Sequence, residues 1–122
     1  MIIMQTTIIR IASDQIKDWE SFHSVFQTAF GFPDFYGRNM DAWIDCMTYV
    51  DDSSCGMTNI SVGQGELVAL RIDDDAPDFE QRCPEQYRAL IECTAFVNYR
   101  RVEVGQSPVL TLMLGGWFQS RS

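Results

Sequence analysis

The segment P-V-L-T-L-M-L at 108–114 constrains this chain most, because it runs without a charge and with a single hydroxyl. An uninterrupted apolar run of that length, bounded by turn residues, reads as a strand covered on both faces, which is the habit of parallel sheets. Two further segments also read as strands. T-T-I-I-R-I at 6–11 is β-branched and apolar and reads as a buried strand, and E-L-V-A-L-R-I at 66–72 reads as a second, ended by the acidic tract 73–75. Long stretches with helical periodicity separate the three, and parallel strands need crossovers of about a dozen residues or more. The expected fold is therefore α/β: a small three-stranded parallel sheet packed against helices, in the order β-α-α-β-α-β. One domain is expected to span residues 1–122, since no linker, repeat or low-complexity stretch divides the chain.

The helices can be read with their ends. Asp18 is placed to cap a first helix in which Trp19, Phe22, Val25, Phe26, Ala29 and Phe30 share a side, and Gly31 and Pro33 stop it. A turn-rich bridge, P-D-F-Y-G at 33–37, leads to Asn39 as the cap of a second helix over 40–50. There Met40, Trp43, Cys46, Met47 and Val50 fall on a core side, and Asp41, Asp45, Thr48 and marginally Ile44 on a presented side. Residues 51–64 read as an extended loop. A third helix is expected over 84–99, with Pro84 in its first turn and Tyr87, Leu90, Ile91, Thr94 and Ala95 on one stripe.

Charge narrows the possible partners. The 17 acidic and 9 basic residues leave a net charge of −8. Affinity for a phosphate backbone comes from Lys and Arg, so direct nucleic-acid binding is not expected, whereas a cationic protein would be attracted. The excess sits in residues 34–52, which sum to −4, and 66–85, which sum to −5. No apolar stretch approaches the ~20 residues needed to span a bilayer, and no basic, apolar leader opens the chain, so a cytoplasmic protein without membrane contact is expected. Cys46, Cys55, Cys83 and Cys93 lack metal-ligand spacing and read as reduced thiols, with no metal and no cofactor expected.

Enzyme chemistry finds little support. His23 is the one histidine and lies between Phe22 and Phe26, where a structural role is the simpler reading, and no nucleophile-elbow, zinc or phosphate-loop pattern occurs. Asp73 to Asp75 read as a solvated acidic turn, and Asp51-Asp52 as a loop opener. Asp41 and Asp45 are more informative: like charges one turn apart repel by a few tenths of a kcal/mol, so the spacing costs local stability. They stand beside Phe35, Tyr36, the Gly37 bend and an apolar Ile44, a mixture typical of a contact surface.

The run P-D-F-Y-G-R-N-M-D-A-W-I-D-C-M-T at 33–48 resembles the signature of the barstar family of ribonuclease inhibitors, approximately P-x-Y-Y-G-x-N-L-D-A-L-W-D-C-L-T, and the preceding aromatic helix resembles the family's as well. The resemblance implies a non-enzymatic inhibitor or immunity protein whose second helix plugs the active site of a basic microbial ribonuclease or nuclease toxin. By it, Asp45 is the principal plug in the place of a substrate phosphate, and Asp41 pairs with a neighbouring cation. Phe35, Tyr36, Gly37, Asn39, Ile44 and Thr48 complete the contact. Phe35 lacks the family's hydroxyl, Trp43-Ile44 replaces Leu-Trp, Arg38 stands where relatives often carry an acid, and Val50 replaces an aromatic. The 51–65 loop and the tail beyond Leu114 are longer than in the type member. An acidic interaction module with a non-ribonuclease partner is the alternative reading, and a small enzyme built on the carboxylates a more distant one. Oligomeric state is left open. The tail aromatics Trp117 and Phe118 are expected to pack on the domain.

Overall fold

The computed structural model describes residues 5–60 and 62–118. Strands β1 (Thr6–Arg10), β2 (Leu67–Ile72) and β3 (Leu110–Leu114) form one parallel sheet in the order β1-β2-β3, with Ile8 opposite Ala69 and Ala69 opposite Thr111. Helices α1 (Trp19–Phe30) and α2 (Met40–Thr48) form the first crossover, and α3 (Ala76–Arg82) and α4 (Pro84–Glu103) the second. The fold is thus the α/β architecture expected, with one element added. The short helix α3 follows the acidic turn 73–75, in a stretch where no element was foreseen. Pro77 in its first turn and the buried Phe79 are the local signals for it.

The helices cover one face of the sheet, and on the other face Ala69 is buried between strands whose large side chains are exposed. Val68, Leu70, Ile72 and Leu110 point into the helices and are at most 3% exposed, together with Phe22, Phe26, Phe30, Trp43, Met47 and Leu90. On the opposite face Ile8 is 49% and Met113 41% exposed. This corrects the expectations that 108–114 is covered on both faces and that 6–11 is a buried strand. Two crossovers supply four helices and all of them lie over one face, so apolar content alone overstated the cover. Helix α4 also departs from its expected stripe. Tyr87, Leu90 and Thr94 are buried, but Ile91 and Ala95 face outward, and Val97 and Arg101 complete the inner side, carrying the helix on to Glu103.

Two loops hold the frame together. The 51–60 segment folds back over the end of α1: the Asn59 amide donates to the Phe30 carbonyl at 3.0 Å, and Met57 and Ile60 pack on the core. Gly31 at φ +66° ends α1 beneath that loop, and a Cβ there would lie 2.0 Å from the Asn59 side chain. Asp51, expected as a solvated loop opener, is instead almost buried in an ion pair with Arg101 at 2.7 Å, and Arg101 Nη1 donates to the Thr48 carbonyl at 2.7 Å. Asp73 likewise is paired, with Arg10 at 2.8 Å and Arg71 at 3.0 Å. The tail departs from expectation: Trp117 is 45% exposed and Phe118 fully so. The leader-free reading of the first residues, one position of the 51–64 loop and the end of the tail fall on 1–4, 61 and 119–122, outside the described residues.

Candidate functional site

Asn39 builds the site from its first residue. Its backbone is extended, and its side-chain oxygen accepts from the Ala42 amide at 2.8 Å, satisfying a donor that the first turn of α2 would otherwise leave open. With the start of the helix fixed there, the 3.6-residue period decides which side chains face out. Trp43 and Met47 are fully buried and Cys46 nearly so, with the Trp43 indole edge-on to Phe26 at 5.6 Å between centroids. Asp41 and Asp45 are exposed, one turn apart, with Ile44 half-buried between them. The acids are therefore carried by a helix whose inner face is locked in aromatic packing.

The approach to α2 is held from below. Tyr36 is 6% exposed, its ring set against Phe32, and its hydroxyl and His23 Nδ1 are hydrogen-bonded at 2.5 Å. Burial lowers the His23 pKa to about 4, with nearby Arg38 adding to the effect, and burial raises that of the Tyr36 phenol. The pair is thus a neutral, buried hydrogen bond tying the bridge to α1. The bend beside it falls at Arg38, whose φ is +54°, and not at Gly37, whose backbone is not left-handed. Arg38 is held by three acceptors on α1, the Gln27 side chain at 2.9 Å, the Glu20 carbonyl at 2.8 Å and the Ser24 hydroxyl at 2.7 Å. Its charge is drawn toward α1 and away from the two aspartates.

Of the expected residues, Gly37, Asn39, Asp41 and Asp45 are exposed, Ile44 is half-buried and Phe35 is 76% exposed. Two are buried. The Tyr36 ring, expected beside Phe35 at the surface, is part of the core, because consecutive residues at this turn point to opposite sides. Thr48, expected on the presented side, is 6% exposed and donates its hydroxyl to the Ile44 carbonyl at 2.6 Å. The Arg101 contact with the Thr48 carbonyl draws this end of the helix inward.

The sequence reading passed over Arg100 and the aromatics beside it. Arg100 of α4 donates to Asp45 at 3.2 Å. Phe96, Tyr99 and Tyr49 are 47%, 63% and 41% exposed, and they line a groove with Arg100. Phe96 and Tyr99 lie off the apolar stripe of their helix, and surplus aromatics off a core stripe were the available signal. Among the described residues, no group of three or more His, Cys, Asp or Glu is placed to hold a metal ion, and no helix is long and apolar enough to cross a membrane.

The family model described as Barstar (barnase inhibitor) matches residues 6–105. A search of the curated proteins finds no match.

Proposed function

The chain belongs to the barstar family, and from that premise we propose that it inhibits a basic ribonuclease by inserting the outer face of α2 into the nuclease's cationic cleft. The observation that carries this reading is the pair Asp41 and Asp45, exposed one turn apart on a helix whose inner face is fully packed. Rigid carboxylates at that spacing offer two negative centres where a nuclease expects phosphates, and little conformational freedom is lost when they bind. In this reading Phe35 supplies an exposed ring, and the Gly37 and Asn39 backbone leaves room for close approach. Complementary charge speeds the encounter, and the desolvated aspartates slow release. In this reading the protein performs no chemistry itself and acts in the cytoplasm.

Calorimetric titration against barnase, the nuclease that the family description names, tests the reading. Asp45→Ala should cost more than about 2 kcal/mol of binding, the scale of an interface hot spot. Asp73→Ala, an acid of similar exposure outside the surface, should cost less than about 0.5 kcal/mol. Equal losses would sink the assignment.

A second reading is favoured by the rim. Ile44 presents an aliphatic group between the aspartates, and Arg100 contacts Asp45, so the same face can serve an immunity function toward a toxin that does not cleave RNA. Capturing the partner and assaying it for RNA cleavage separates the two.

A further inference from the structure

The two aspartates of α2 are not equivalent. Asp41 has no ion pair among the described residues, while Asp45 accepts from Arg100 Nη1 at 3.2 Å, the two side chains remaining 57% and 39% exposed. Arg100 reaches Asp45 from α4, beside the groove that Tyr49, Phe96 and Tyr99 line. The carboxylate expected to meet a partner's cation is thus already engaged by a cation of its own chain.

We propose that Arg100 is the specificity-determining residue of this face: it occupies Asp45 in the free protein, so that a partner binds by exchanging one of its cations for the Arg100 guanidinium. The nuclease identity of that partner rests on the reading above, whereas the exchange does not. An exposed ion pair is worth up to about 1 kcal/mol, so releasing Arg100 weakens a partner that offers it nothing by up to about fivefold. A diffuse polycation bears that loss in full. A cationic cleft with a carboxylate at its border takes up the planar guanidinium fork and avoids it. The face therefore fits a cleft of mixed charge and discriminates against uniformly basic surfaces.

Binding at low salt to poly-lysine, to a lysine-rich lysine–glutamate copolymer and to barnase tests this with wild type, Arg100→Ala, Asp45→Ala and the double variant. Arg88→Ala serves as the control for net charge, since Arg88 is an exposed arginine on α4 that also pairs with a carboxylate, Glu92 at 3.8 Å. Arg100→Ala should bind poly-lysine more tightly than Arg88→Ala does, by up to about fivefold, and the gain should vanish in the Asp45→Ala background. The gain should be smaller on the copolymer. No gain over Arg88→Ala, a gain that persists without Asp45, or equal gains on the two polymers would overturn the proposal. The barnase arm judges the nuclease reading separately: binding that is indifferent to Asp45→Ala removes barnase-like inhibition and leaves the polymer result on Arg100 standing.

Discussion

His23 and Tyr36 show how a single buried contact couples the bridge before α2 to the conditions around the protein. The folded state holds His23 neutral with a pKa near 4, against 6.5 for the free side chain, so the unfolded chain binds more protons between those values. The His23 contribution to stability is therefore complete above pH 6.5 and falls as pH drops toward 4. Urea midpoints measured from pH 4 to 7 should fall less steeply on acidification for His23→Gln than for wild type. Asp51 is the second decisive residue. With side-chain exposures of 4% and 9%, Arg101 and Asp51 form an ion pair whose breaking strands a buried guanidinium. Asp51→Ala should cost about 3–5 kcal/mol in chemical denaturation, a test that the solvated-loop reading of Asp51 would fail to anticipate. Nothing in the sequence separates Asp51, which pairs with Arg101, from its neighbour Asp52, because the distinction is made by a residue fifty positions away. By contrast, Asp41 and Asp45 could be placed on the outer face from local periodicity alone.

At the scale of elements, caps and periods were legible and surroundings were not. The Asp18 cap of α1, the Gly31 stop, the Asn39 cap and the aromatic inner faces of α1 and α2 follow from local rules, and all lie where those rules put them. The stripe of α4 was misread at Ile91 and Ala95 because its inner face is set by three neighbours, α2, α3 and β3, and by the inward Arg101. Arg38 illustrates a local conflict resolved at a distance. A non-glycine residue in the left-handed region costs about 1–2 kcal/mol, and here three acceptors on α1 offset it. Removing those bonds while keeping a Cβ should be worse than removing both. Thermal unfolding should rank wild type above Arg38→Gly, and Arg38→Gly above Arg38→Ala by roughly 1 kcal/mol. The reverse order of the two variants would show that the backbone relaxes out of the left-handed region.

For the whole molecule, the net charge of −8 divides into acids paired within the fold and acids left exposed without an ion pair among the described residues. Asp51 and Asp73 belong to the first group and Asp41 to the second. Screening lengths shrink from about 10 Å at 0.1 M salt to about 3 Å at 1 M, so the association rate with a basic nuclease should fall at least about tenfold across that range while dissociation changes far less. Stopped-flow mixing at several salt concentrations measures both, and a dissociation rate that carries most of the change would contradict the steering role. The parallel register has a last consequence, in time rather than space. Ile8 of β1 meets Ala69 of β2, so during synthesis the sheet waits for its central strand, while the local contacts of α1 and α2 need no such delay. The helix that carries Asp41 and Asp45 is complete in the nascent chain before the central strand that joins the sheet has been made.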